Sequence, residues 1–111
     1  MVQKDKKQTM SFQDRCLKLV DTIPKGRVTT YKALAHALQT KAYRAIGNAL
    51  NKNPNLFTTP CHRVIKTDGS LGGYAKGVDR KRELLESEGV QIDKKGKIVE
   101  FEKILFKPYI T

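Results

Sequence analysis

A mainly helical single domain with a small β element is the fold this chain predicts, on three observations. Its 111 residues suit one hydrophobic core. Apolar residues recur at helical spacing around residues 12–23, 31–38, 42–51 and 78–88. The remaining extended stretches are short and bounded by Gly, Pro and Asp turn signals.

In chain order, residues 1–10 are polar and lysine-rich and are expected to be a flexible N-terminus. Ser11 then opens a helix, with Asp14 three positions on in a capping-box pattern. Phe12, Cys16, Leu19, Val20 and Ile23 form its buried stripe, and Pro24-Lys25-Gly26 ends it. Cys16 lies on that stripe and reads as a small core hydrophobe. Val28-Thr29-Thr30 is extended, and a threonine caps a helix from about Tyr31 to Leu38. Gln39-Thr40-Lys41 connects it to a second helix, about Ala42 to Asn51, so the pair reads as a helix-turn-helix. That second helix is rich in small residues, and Gly47 costs it up to about 1 kcal/mol against alanine. Close approach of a backbone explains such a glycine, either a packed helix or a nucleic-acid strand. Leu56 to Thr59 lead into Pro60-Cys61-His62-Arg63-Val64-Ile65, which turns into a short strand. Thr67-Asp68-Gly69-Ser70 is a turn, and 71–77 form a glycine-rich loop. Val78 to Glu88 make a further helix, with Leu84 and Leu85 inward and Gly89 as its stop. Val90 to Ile92 and Ile98 to Phe101 flank Asp93-Lys94-Lys95-Gly96 as a terminal hairpin. The whole is therefore a winged helix-turn-helix-like domain over residues 11–101, followed by a tail, 102–111.

Charge narrows the function. The chain holds 22 basic and 11 acidic side chains. Residues 11–63 carry nine basic groups against Asp14 and Asp21, whereas 64–89 are balanced at five of each. A polyanion-binding surface requires such a concentration, although a solvated basic face would show the same count. No apolar run approaches the roughly 18 residues that cross a bilayer, and no apolar h-region follows the first charges. The expectation is a cytoplasmic, monomeric protein with no membrane partner. Cys16, Cys61, His36 and His62 fit no zinc-finger spacing, so no metal or cofactor is expected.

The chemistry-bearing element is Cys61-His62, set between a proline and an arginine. A thiol attacks only as thiolate, so a nearby imidazole and positive charge matter. Neighbours on extended backbone point to opposite sides, so a bridging water or a bend at Pro60 is needed to couple them. The imidazole then wants an orienting acceptor. Glu83, Glu86 and Glu88 can reach back from their helix, and periodicity does not choose among them. A Cys-His pair alone is a weak signal. Its context, a basic helix-turn-helix before it and a glycine-rich loop after it, strengthens it.

Pro60-Cys61-His62-Arg63-Val64 resembles the active-site signature of the O6-alkylguanine-DNA alkyltransferases, the methylated-DNA–protein-cysteine methyltransferases. Gly26-Arg27-Val28-Thr29-Thr30-Tyr31 is similar to that family's lead into its helix-turn-helix, and Tyr43 to Leu50 to its recognition helix. Asn53-Pro54 resembles its asparagine hinge. Gly72-Gly73-Tyr74 and Leu84 to Gly89 resemble its substrate loop and closing helix. The resemblance covers about residues 11 to 90.

It implies stoichiometric repair of double-stranded DNA containing O6-alkylguanine, by minor-groove binding, base flipping and irreversible transfer to cysteine. The resemblance makes Cys61 the acceptor and His62 its base through a water, with Glu88 holding the imidazole. Tyr31 would protonate the leaving guanine, and Asn53 would brace the cysteine turn. Arg44 would fill the gap left in the base stack. Thr30, Tyr31, Lys41, Ala42, Tyr43, Ala45, Gly47, Asn48 and Arg63 would complete the DNA surface. Val64, Gly72, Gly73, Tyr74 and Ala75 would line the base pocket, Val64 offering its carbonyl to the exocyclic amine. Ala75 stands where a serine donor often occurs, and the inter-helix loop is one residue shorter than is typical. Without an N-terminal domain, the expectation is a minimal catalytic unit. A lesion-binding protein without chemistry is the other reading, and Cys61 argues against it. A cysteine hydrolase is disfavoured by size and by the lack of an oxyanion donor set.

Overall fold

The computed structural model describes residues 11–53 and 59–108. The expected frayed start, the Leu56 to Thr58 lead-in and the end of the tail lie outside those residues. No described helix is long and apolar enough to cross a membrane.

Helix α1 (Phe12–Val20) starts where its cap predicts: the Ser11 hydroxyl accepts from the Asp14 amide at 3.0 Å. Such a cap stabilises by about 1 kcal/mol. Cys16, Leu19 and Val20 face inward. The helix stops before Pro24, because Asp21 caps it and the Thr22 hydroxyl donates to the Leu19 carbonyl at 2.6 Å.

Strand β1 (Thr29–Thr30) runs into α2 (Tyr31–Ala37), and Thr30 caps that helix by accepting from Ala33 at 3.0 Å. Strand β2 (Val64–Ile65) lies parallel to β1, Thr29 opposite Val64 and Thr30 opposite Ile65. Two residues a side are too few to hold by themselves. Their worth is positional: the ladder sets the chain just before β2, Cys61–Arg63, beside the start of α2. Periodicity shows two short extended pieces, but only the three-dimensional packing pairs them.

Helix α3 (Tyr43–Asn51) follows a tight turn in which the Thr40 amide reaches the Ala35 carbonyl at 2.9 Å. Gln39 takes a left-handed conformation there, φ +57°, at a cost of about 1 kcal/mol for a residue with a Cβ. Leu34 and Leu38, with Ile46 and Leu50 of α3, close over α1, and Cys61 and Val64 join this main core. Helix α4 (Val78–Ser87) turns Leu85 into a second core with Val28, Ile65, Leu71, Val90 and Ile98, while Leu84 is only half-buried.

The terminal hairpin is weaker than its pattern. It reduces to one antiparallel bridge, Ile92–Ile98, around a turn in which Asp93 Oδ1 accepts from Lys95 and Lys97. Lys97 instead bridges to Ser70. Phe101 belongs to a 3-10 turn (Phe101–Lys103) after a left-handed Glu100, and its ring lies over Gly69, where a Cβ would stand 2.9 Å from it. Beyond it the chain returns to β1: Val28 donates to Ile104 at 3.0 Å and Phe106 donates to Val28 at 2.7 Å.

Candidate functional site

Pro60 bends the backbone, and Cys61–Arg63 form a single 3-10 turn instead of an extended run. The turn closes through Arg63 N–H on the Pro60 carbonyl at 3.0 Å. The opposite-sides objection to a Cys61–His62 pair therefore falls away. From the end of α3, Asn53 Nδ2 donates to Cys61 Sγ at 3.1 Å.

Among the three candidate acids the fold selects Glu88. Glu83 and Glu86 pair with Arg80 and Arg82 on the outer face of α4. Glu88 caps α4 and puts Oε2 2.9 Å from His62 Nε2. A carboxylate at a helix C-terminus opposes the macrodipole. Arg63 offsets that, donating from Nε to Oε1 at 2.9 Å and from Nη2 to Oε2 at 2.7 Å. Its Nη1 donates to the Ile23 carbonyl at 2.7 Å. Arg63, expected on the DNA face, is thus an internal tie between α1, the cysteine turn and α4.

These contacts set the protons. Burial raises the Glu88 carboxyl, but hydrogen bonds from Arg63 and His62 prevail and hold it below the ordinary carboxylate range. Burial, with the positive charges of Arg63 and Lys81 adding to it, lowers His62 against the opposing pull of Glu88, so the ring is neutral at pH 7. With Glu88 ionised, the hydrogen-bond network assigns the ring proton to Nε2. The lone pair is then on Nδ1, which is buried and has no hydrogen-bond partner among the described residues. Burial raises the Cys61 thiol above its usual range, with the Asn53 hydrogen bond opposing it, so it rests protonated. One turn of chain therefore holds a protonated thiol and an imidazole with a free basic nitrogen.

Sequence reasoning missed Lys81. It sits fully buried inside α4, donating to the Val64 carbonyl at 2.6 Å and to the Gly73 carbonyl at 3.0 Å. It therefore clips the glycine-rich loop to β2 and shares the carbonyl expected to face the base. One signal was present: position 81 lies one turn before Leu85, on the inward face. Burial lowers its ammonium to about 7, and ionisation of Cys61 would pull it the other way. Since the folded value lies below the usual 10.5, the unfolded chain binds the extra proton between about pH 7 and 10.5. Stability from this residue should therefore rise with pH across that window. Melting curves at pH 7 and 9.5 should show the rise in the native chain and its loss in Lys81→Met; parallel curves would contradict it.

An open groove of about 800 Å³ adjoins this centre, lined by Tyr31, Lys32, Tyr43, Arg44, Gly47, Lys66, Gly72 and Gly73 among others. Tyr43 and Arg44 on it are exposed and Gly47 is half-exposed; of the other expected DNA contacts on the helix pair, Lys41, Ala42 and Asn48 are exposed and Ala45 half-exposed, but none of these four lines the groove. Thr30 is buried, its hydroxyl engaged in the cap. A Cβ on Gly47 would meet nothing within 4 Å, so no packed helix explains that glycine. Gly47→Ala is accordingly expected to stabilise the fold by about 0.5–1 kcal/mol, read as a higher Tm. Cys61 is 4% exposed and does not itself line the groove; Tyr31, which does, packs on the same core cluster as the thiol. Tyr74 packs there too, and its ring meets His62 edge-on at 6.5 Å. Gly72 and Gly77, with φ +73° and +97°, give the loop between them backbone freedom; Ala75 is exposed on it.

Comparison with known proteins agrees with this geometry. Residues 11–90 match the family model of the 6-O-methylguanine DNA methyltransferase DNA-binding domain. A methylated-DNA–protein-cysteine methyltransferase of Saccharolobus solfataricus is 52% identical over 85 residues, 77% of this chain and 55% of the relative. One from Metallosphaera sedula is 52% identical over 81 residues, 73% of this chain and 51% of the relative. The chain thus spans about half the length of these curated relatives. Among solved structures, Mycobacterium tuberculosis OGT in complex with DNA superposes with a TM-score of 0.68 at 44% identity, over 70% of this chain and 49% of that one. Schizosaccharomyces pombe Atl1 in complex with damaged DNA containing O6-carboxymethylguanine gives 0.74 at 27% identity, over 87% of this chain and 95% of that one. With its cysteine turn, helix pair and closing helix all inside the matched stretch, the chain belongs to the 6-O-methylguanine DNA methyltransferase family through that family's DNA-binding domain.

Proposed function

We propose that this chain repairs duplex DNA directly, taking the alkyl group from the O6 of an extruded alkylguanine onto Cys61 in one irreversible turnover. The observation that carries the reading is the hydrogen-bonded set around the thiol: Asn53 on Sγ, and Glu88 on the far nitrogen of His62.

The Cys61 proton passes through a bridging water to His62 Nδ1, and Glu88 stabilises the imidazolium so formed. The thiolate attacks the alkyl carbon in line, the S–C bond forming as the C–O6 bond breaks. The Tyr31 hydroxyl, at the groove wall, donates a proton to the departing guanine. The product thioether has no leaving group, so the protein is consumed.

A base inside the stack cannot reach a buried thiol, so it must leave the duplex at a cost of a few kcal/mol. Arg44 occupies the vacated stack, and exposed lysines of the helix pair hold the phosphates. Gly47 admits the DNA backbone, so Gly47→Ala weakens duplex binding while it stabilises the fold. Beyond Gly73, which Lys81 ties to β2, the loop up to Gly77 moves to admit the base to Cys61. The relatives' names and their DNA complexes support this reading.

The test is intact mass after incubation with a duplex bearing O6-methylguanine. One methylene added per molecule is the expected result; tight binding with no added mass favours lesion recognition without chemistry. On the same substrates, Arg44→Ala should lose about tenfold or more in repair of duplex and far less in reaction with the free alkylated base. Equal losses would remove the wedge role.

A further inference from the structure

The segment after the hairpin builds a second groove on the DNA side of the molecule. It has a volume of about 740 Å³, with Lys32, His36 and Lys41 on one wall and Phe101, Leu105 and Lys107 on the other. Lys32, Tyr43 and Thr67 line both this groove and the one beside the cysteine turn, so the two are continuous. Among the described residues no Asp or Glu lines it, and Lys32, Lys41 and Lys107 are all exposed. The far wall is held in place by main-chain bonds, Val28 to Ile104 and Phe106 to Val28, and not by side chains alone. It also lies outside residues 11–90, the stretch shared with the family model.

We propose that this C-terminal wall is a DNA-binding element: the second groove carries the phosphodiester backbone of a strand running out of the first, with Lys107 on a phosphate opposite Lys32 and Lys41. The inference rests on the repair reading, which requires a duplex on the helix pair. Charge complementarity argues for this occupant, since a groove lined by Lys32, Lys41 and Lys107 suits a polyanion, and Phe101 and Leu105 on its far wall suit deoxyribose.

Counterion release supplies the readout. Each phosphate contact contributes about 0.9 to the slope of log affinity against log salt concentration. Duplex affinity of the full chain is measured between low and moderate salt for the native protein, Lys107→Ala and Lys103→Ala. Lys103 loses the same charge four residues away, but it pairs with Glu100 at 2.7 Å and lines neither groove. The expected result is a slope shallower by about 0.9 and an affinity roughly three- to tenfold weaker for Lys107→Ala. Lys103→Ala should leave the slope unchanged, and unchanged melting temperatures should show both variants folded. Equal slopes for native protein and Lys107→Ala overturn the inference and leave the repair reading standing. Equal slope losses in both variants also overturn it, because they report bulk charge. A native chain that does not bind duplex at all overturns both.

Discussion

Cys61→Ser should abolish alkyl transfer, from DNA and from free base alike, by at least roughly a thousandfold. A hydroxyl in this site has no accessible anion: burial already raises the more acidic thiol, and serine starts several units higher. The replacement fits the site. Cys61 is nearly enclosed, the change in volume is small, and Asn53 Nδ2 can donate to oxygen as it does to sulfur. Stability should stay within about 1 kcal/mol, and duplex affinity within about twofold. Transfer assays beside a binding titration separate the two. Loss of binding together with transfer would mean that the substitution had damaged the fold.

Glu88→Gln should be the second most damaging change, lowering the transfer rate about a hundredfold or more. The amide keeps the shape but removes the charge that stabilises the His62 imidazolium. It also strips Arg63 of its bidentate partner in a nearly buried place, which should cost about 2–4 kcal/mol of stability. The pH profile distinguishes this from simple loosening. Transfer needs neutral His62, so the native rate falls as pH drops through the histidine's depressed pKa. Glu88 raises that pKa, so its neutralisation should move the acid limb to still lower pH while the plateau falls. A fallen plateau with an unmoved limb would argue that Glu88 only supports the fold. The same groups set the acid stability of the native chain. Folded Glu88 and His62 both bind protons less readily than when unfolded, so stability should decline as pH falls below about 6.5 and further through the carboxylate range.

Local signals in the chain carried most of the fold. Ser11 and Thr30 cap helices where a hydroxyl precedes an apolar period, and Gly89 ends α4 in the left-handed region. Cys16 occupies the core, as its place on the α1 stripe requires. What periodicity could not show is pairing across the chain. The β1–β2 ladder joins residues 35 apart in sequence through two residues a side, and alternation over so short a run carries no signal. The hairpin erred the other way, because alternating Val90, Ile92 and Ile98 mark which residues are buried and not how many rungs form.

The site divides along the same line. Cys61, His62 and Asn53 stand close in sequence, so a motif can display them. Choosing Glu88 over Glu83 and Glu86 depends on the rotation of α4, which only the packing of Leu85 and Lys81 fixes. Arg63 misled because a lone arginine on a basic segment resembles a phosphate contact until Glu88 and Ile23 claim it. Lys81 was hidden for the converse reason: amid Asp79-Arg80-Lys81-Arg82-Glu83 a lysine reads as solvated, although its position faces inward.

The most direct test is to digest the protein after reaction with O6-methylguanine DNA and to map the added group by peptide mass. One methyl on the Cys61 peptide, none on the Cys16 peptide, and no further turnover when fresh DNA is added are the expected results. A methyl on Cys16, or continued repair by protein whose Cys61 remains unmodified, would contradict transfer to Cys61.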